Sequence, residues 1–347
     1  MTDPEPSGVP SRVIRIRTVT GAVVLGLLVT GCGAHGVEAE RTKPASKTPS
    51  VAPPLTLPDH TRMEDTPGAL AVNASPSPDW IMIAHGVAWV ANVDHGIARY
   101  ALDGHRIGVV RTRSDVCLAM DQGFDSVWAV DCGAGQLLRM DARTGALQKR
   151  IELGFTPRPE SSLAVGPEGV FLLDSASAIA RVDPDSNTVA DERLPGPDRP
   201  SAVRLAFGSL WVTSEATGVV TRLDPATGAV QAEITTEPGI IFLAAGEGAV
   251  WVMNNERGTV DRIDPATNTR VATIAVDWKV HGGDIAVGHG AVWARVSNAL
   301  VSRIDPRTNT LVARYGSGEG SGSVAADGKA LWISAHEVRT VWRVLLD

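Results

Sequence analysis

Residues 250–274 read VWVMNNERGTVDRIDPATNTRVATI, and the same pattern recurs along the chain. Trp89, Trp128, Trp211, Trp251, Trp293 and Trp332 mark it, with Phe171 where one further tryptophan would fall. An arginine follows each aromatic ten or eleven residues later: Arg99, Arg139, Arg181, Arg222, Arg262, Arg303 and Arg343. The intervals between successive arginines are 40, 42, 41, 40, 41 and 40 residues. Self-similarity at that period marks a propeller or solenoid, in which each repeat buries its apolar face against its neighbours.

Within the unit that holds the quoted stretch, residues 241–245, 249–253, 260–263 and 270–274 form short β-branched runs separated by glycine-containing turns. Their lengths predict strands, and none has a helical period. Four antiparallel strands per repeat make a propeller blade. The chain is therefore expected to be all-β, a seven-bladed β-propeller of four-stranded antiparallel blades. The seventh unit offers strands at 324–326, 331–334 and 341–345 but no fourth. Residues 69–73, ALAVN, are expected to complete it, with Leu70 and Val72 packing on blade seven. Closure from both parts of the chain would leave no open sheet edge in the ring.

The turn between third and fourth strands carries the most regular signature. It reads DPDSN at 183–187, DPATG at 224–228, DPATN at 264–268 and DPRTN at 305–309, with a weaker DARTG at 141–145. Asp bonds backbone amides two residues on, Pro presets φ, and Gly or Asn accepts the left-handed conformation. These recurring carboxylates are turn formers before they are candidate sites. Each repeat tryptophan is expected at the end of the second strand, filling the wedge between blades. Each repeat arginine precedes the turn aspartate by two residues, which suggests a ring of Arg–Asp pairs tying a blade to its turn or its neighbour.

The N-terminus reads differently. Arg12, Arg15 and Arg17 precede an uncharged run at 18–31 that is too short to span a bilayer as a stable helix. The run ends in Leu28-Val29-Thr30-Gly31-Cys32, which resembles the lipobox of bacterial lipoproteins. That resemblance implies a signal peptide over 1–31 and acylation of Cys32, hence an exported protein lipid-anchored to the outer face of the cell membrane. A plain secretory signal or an uncleaved anchor is the alternative. Residues 32–66, rich in Pro, Ala, Ser and Thr, predict a flexible tether, with the propeller over 67–347.

Net charge is −7; the first 31 residues carry three arginines against two acids, so the remainder carries −8. No basic stripe interrupts that balance, and nucleic acid is not an expected partner. Besides Cys32 the cysteines are Cys117 and Cys132, read as lying in the first and second strands of blade two. In an exported protein such a pair suggests a disulfide, with two buried free thiols as the alternative.

In a propeller the repeat builds the scaffold and the unrepeated loops build the site. Loops from a fourth strand to the next first strand (111–116, 154–161, 194–202, 235–239, 276–283 and 315–322) should reach the mouth of the central channel. The one at 276–283 carries Trp278, Lys279 and His281 together. Trp278 would serve as a plug over the channel or a stacking platform for a ligand; His281 would be a loop residue, a ligand or a base. Trp80, Arg158, Glu160, Asp198, Arg199, Asp284 and Glu319 are further unrepeated candidates at the mouth. The loops between second and third strands, at 92–95, 174–177, 254–257 and 336–339, are also variable and polar. No metal-ligand spacing, nucleophile elbow or phosphate loop is present.

The units AVWV…GTVDRIDPATNTRVATI and LWVTSEATGVVTRLDPATGAVQAEI resemble the repeats of bacterial YVTN-type and streptogramin-lyase-like propellers. The resemblance covers residues 67–347 and implies the seven-bladed ring. For the lyases it also implies Mg²⁺, a histidine and a Glu-x-His element. His281 and Glu319 occupy comparable loops of blades six and seven, but Glu319 is followed by Gly320-Ser321 and the second histidine is missing. The expectation is a monomeric binding module without a cofactor, engaging an envelope protein, a peptide or a glycan through one face of the ring. A metal-assisted lyase or hydrolase using His281 and Glu319 is the alternative.

Overall fold

The computed structural model describes residues 56–346 apart from Ser75 and Glu319. Cys32, the signal segment and most of the tether lie outside the described residues, as does the mouth candidate Glu319. Among the described residues no helix is long and apolar enough to cross a membrane.

Seven antiparallel sheets follow one another. Blade one runs through strands Ile81–Ala84, Val87–Ala91, Gly96–Ala101 and Arg106–Arg111. Blade five uses Ile240–Gly246, Ala249–Asn254, Thr259–Asp264 and Thr269–Ala275, within one or two residues of the strands read from sequence. In every blade from one to six the strands lie in sequence order, except that blade three divides its outer edge between Thr188–Val189 and Leu194–Pro195. Each first strand also packs against the first strands of neighbouring blades, so these seven strands line the axis.

Ring closure follows the sequence reading. Ala69–Asn73 pairs antiparallel with Thr340–Leu345, matching Leu70 to Arg343 and Val72 to Val341. Val72 packs into the apolar seam between blades seven and one, beside Trp332 and Tyr100. Leu70 stays 42% exposed and reaches toward Gly104 of blade one instead of covering blade seven. The folded unit also begins ahead of the boundary expected at Pro67. The Thr61 amide donates to the Arg314 carbonyl and Gly316 donates back to Thr61, adding a parallel bridge to the outer edge of blade six. Met63 is buried between blades six and seven. Residues 58–66 thus bury an apolar side chain and satisfy an edge strand, which a free tether would not do.

The repeat tryptophans sit in the middle of the second strand, not at its end, and each faces its arginine directly across the hairpin: Trp251 opposes Arg262, Trp128 opposes Arg139. Six of the seven guanidinium groups lie over their aromatic ring at 4.8–5.8 Å, those of blades one to six. Their polar ends do not form the expected Arg–Asp ring. Arg262 donates from Nη1 to the Pro306 carbonyl (2.6 Å) and Asn309 Oδ1 (2.8 Å) in the next blade. Arg222 does the same to Pro265 (2.7 Å) and Asn268 (2.9 Å), and Arg139 reaches Pro184 and Asn187. The turn aspartate is already occupied: Asp224 Oδ1 accepts from the Ala226 and Thr227 amides of its own turn. Those bonds hold its carboxyl below the usual carboxylate range. The arginine therefore ties blade to blade through oxygens that the aspartate has positioned.

Cys117 and Cys132 form a disulfide with Cα atoms 5.6 Å apart. Neither lies within a strand: Cys117 precedes Met120–Gly123 and Cys132 follows Ser126–Asp131. The Cys117 amide donates to the Val130 carbonyl, so the bond closes the channel end of that hairpin.

Candidate functional site

Trp80 begins the inner wall of blade one, and Phe242 lies in the first strand of blade five on the far side of the ring. Their rings meet with centroids 6.4 Å apart at 42°, and both side chains are buried. Two flat hydrophobes from opposite walls thereby divide the axial space. Above them lies a cup of about 250 Å³; below them a larger channel of about 320 Å³ continues between the first strands.

The cup is lined by Asp79, Trp80, Leu118, Glu160, Phe242 and His336, with Gly282, Gly283, Ser321 and Gly322 along the remaining rim. Backbone bonds set each polar group in place. The Asp79 amide donates to the Ala91 carbonyl, and Ala91 donates back to Trp80, extending the first hairpin of blade one to the mouth. Leu118 and Glu160 pair as a parallel bridge, with Leu118 donating to Pro159 and Ser161 donating to Leu118. That zipper carries Glu160 from blade three over the rim. The His336 amide donates to Ser321, which turns the second-to-third strand loop of blade seven inward.

Arg295 supports this rim from beneath. It is fully buried, and its guanidinium donates to the Ser334 (3.1 Å), Gly320 (2.9 Å) and Ser321 (3.2 Å) carbonyls. Gly283 needs its φ of +136°, and a Cβ there would stand 2.6 Å from the Arg295 carbonyl oxygen. The rim loop of blade six can pass that close only without a side chain.

Burial pushes the Asp79 carboxyl up to about 6; His336 pulls against the shift, while Glu160 and Glu337 add to it. Glu160 is also raised, by partial burial first, with Arg158 opposing and Glu215 adding. Neither carboxylate has an ion-pair partner within 4 Å among the described residues. The cup is thus a concave site with two acids and a histidine over an aromatic floor.

Of the residues expected at the mouth, the structure brings Trp80 and Glu160 into the cup, with Arg158 close enough to act on Glu160. Asp284 lies below the floor, in the channel wall, where it accepts from the Ser323 hydroxyl (2.7 Å) and the Ile285 and Val324 amides. Burial raises its carboxyl to about 6 against those bonds and against Arg204. Arg204 itself sits 3.4 Å from Asp121 across the same channel. Trp278, Lys279 and His281 line neither space. Trp278 is 55% exposed and lies 6.0 Å from the guanidinium of Arg314, on the outermost strand of blade six. It is therefore not the plug, a role that Trp80 and Phe242 take. Lys279 pairs with Glu256 at 2.8 Å, and His281 is exposed with its amide bonded to Ser297. Asp198 and Arg199 are exposed on the loop between blades three and four.

Sequence reasoning did not single out Asp79, Leu118 or Phe242, and reached His336 only as one end of a variable loop. Asp79 and His336 do break the repeat, but so do many loop residues. Phe242 is the one aromatic residue within any of the seven described first strands, which is the signal that distinguishes it. Among the described residues no group of three or more His, Cys, Asp or Glu side chains is placed to hold a metal ion.

No family model matches the chain, and no curated relative does. Solved structures do. Selenomethionine-substituted virginiamycin B lyase from Staphylococcus aureus matches with a TM-score of 0.66 at 18% identity, covering 80% of this chain and 99% of that one. A streptogramin B lyase matches with a TM-score of 0.64 at 17% identity, covering 80% and 97%. The WD40 repeats of RRP9 match with a TM-score of 0.68 at 13% identity, covering 81% and 98%. What these proteins share with this chain is the seven-bladed ring, and at these identities the likeness speaks for the fold alone.

Proposed function

We propose that this propeller is a binding module that seats the cationic group of a small ligand or peptide side chain in the mouth cup. One observation carries the reading: Asp79 and Glu160 face the same cup, over Trp80 and Phe242, without an ion-pair partner of their own. A cation there would be attracted by both carboxylates and lie against aromatic faces that attract positive charge. The unrepeated loops then select the rest of the ligand. In the same reading Cys32 carries a lipid anchor, so the ring works at the outer face of the membrane on an envelope protein, peptide or glycan.

Calorimetric titration of the full-length protein with choline, putrescine and lysine amide, each against a neutral isostere, tests the cup. Binding at pH 7.5 that is lost in the Asp79→Asn, Glu160→Gln pair supports the reading. Binding that is indifferent to both substitutions, or no binding of any cation, would overturn it.

A second reading has its own support. A carboxyl held at about 6 beside a histidine in a closed-bottom cup is placed to take and return a proton near neutral pH. A lyase on this site would use Asp79 and His336, in place of His281 and Glu319. Turnover of virginiamycin B by the wild type, abolished in Asp79→Asn, would raise this reading above the first. No turnover at high enzyme concentration would retire it.

A further inference from the structure

The tie between neighbouring blades is missing at the seam between blades six and seven, as it is after blade three, where Arg181 donates instead to Glu168 of its own blade. In the seams after blades two, four and five, the repeat arginine gives Nη1 to two oxygens of the next blade's third-to-fourth-strand turn, a proline carbonyl and an asparagine Oδ1. Arg99 finds the Arg143 and Thr144 carbonyls in the same way. Arg303 of blade six faces blade seven, whose third and fourth strands come from Thr340–Leu345 and Ala69–Asn73. No hairpin joins those strands, so the turn that would meet Arg303 does not exist there. In blades two and four the arginine Nε bonds Ser126 and Ser209 of the same blade; blade six has Ala291 at that place, so the Arg303 Nε is buried without a partner. Its guanidinium keeps its position 5.5 Å from the Trp293 ring.

The space beside it is open. A cavity of about 260 Å³ is lined by Arg303 and His289 together with Met63, Leu331, Ile333 and Val344. We infer that this seam is a binding site for a small monocarboxylate with an apolar tail. The repeat shows what the arginine is built to hold, namely two oxygens presented side by side. A carboxylate supplies them in one planar group that matches the guanidinium fork. The aliphatic lining then takes the tail out of water. An alcohol offers one oxygen and an amine offers a like charge, so neither satisfies the arginine. This site lies between blades six and seven and is independent of the mouth cup.

Octanoate is the probe, with octanol and octylamine as matched controls. In the full-length protein labelled at the methionine methyl groups, octanoate should shift the Met63 resonance saturably and leave Met82 and Met120, in the channel, unmoved. Octanol should bind at least tenfold more weakly and octylamine not at all. Arg303→Met should weaken octanoate at least tenfold; Arg303→Lys, which keeps charge without the fork, should recover only part. The melting temperature of each variant shows whether the fold survives, and the wild-type Met63 shift with its controls decides the matter if it does not. Equal binding of octanoate and octanol would reduce the seam to an apolar cleft and overturn the proposal. So would a Met63 resonance that octanoate does not move.

Discussion

Trp80 and Phe242 touch across the axis of the ring, with centroids 6.4 Å apart, though they belong to blades one and five. This contact closes the channel and gives the mouth cup its floor. Trp80→Ala should cost about 3–5 kcal/mol, the usual range for deleting a buried aromatic, and should join the two spaces. Denaturant unfolding measures the first effect. Loss of choline binding at the mouth, with Trp80→Phe retaining it, measures the second.

The arginine ties predict a contrast within the repeat. Arg262 bonds the next blade through Pro306 and Asn309, whereas Arg181 donates to Glu168 of its own blade. Arg262→Met should therefore destabilise by about 2 kcal/mol, the range for hydrogen bonds to a charged donor together with its ring contact. Arg181→Met should cost less than half of that. Equal losses in parallel urea titrations would show that stacking on the aromatic, and not the tie between blades, is what the arginine contributes.

Asp284 sets a pH dependence. Its folded pKa of about 6 lies above the ordinary 3.8, because burial opposes the charged form. The native state therefore holds the proton more tightly than the unfolded chain does. This contribution to stability is complete below about pH 4 and is lost as pH rises through 6, at most about 3 kcal/mol in all. Asp284→Asn should flatten the stability profile between pH 4 and 7, and the flattening is read from unfolding curves across that window. A profile as steep as the wild type's would mean that another group titrating near 6, such as Asp79, carries the dependence.

The Cys117–Cys132 bond closes a loop with a sequence separation of 15. On the chain-entropy account, reduction should destabilise by about 3 kcal/mol. Melting with and without reductant, alongside the Cys117→Ala, Cys132→Ala pair, gives the number directly. If thiol titration finds two free cysteines in the untreated protein, the bond does not form in solution.

The mouth was only half legible beforehand. Trp80 and Glu160 stood out because they break the repeat, and both line the cup. Trp278 broke it more conspicuously and lies instead over Arg314 on the outer edge. A loop's variability shows that it is free of the scaffold's demands, and says nothing of whether its side chains turn toward the axis or away. Backbone bonds such as Leu118 to Pro159, between successive blades, and His336 to Ser321, within blade seven, decide that direction, and no local propensity expresses them.

The sequence by itself determined the ring. A 40-residue spacing of Trp and Arg, an Asp-Pro turn in each of four units and a missing fourth strand answered by residues 69–73 are local facts, and local propensity and period translate them directly into blades. Only the tertiary structure decided where the chemistry lies. Asp79, Glu160, Phe242 and His336 come from four blades and meet solely because the ring closes. The two uncompensated features, a carboxyl pushed up to about 6 and an arginine at a seam with no turn to hold, follow from burial and closure, which no stretch of sequence expresses.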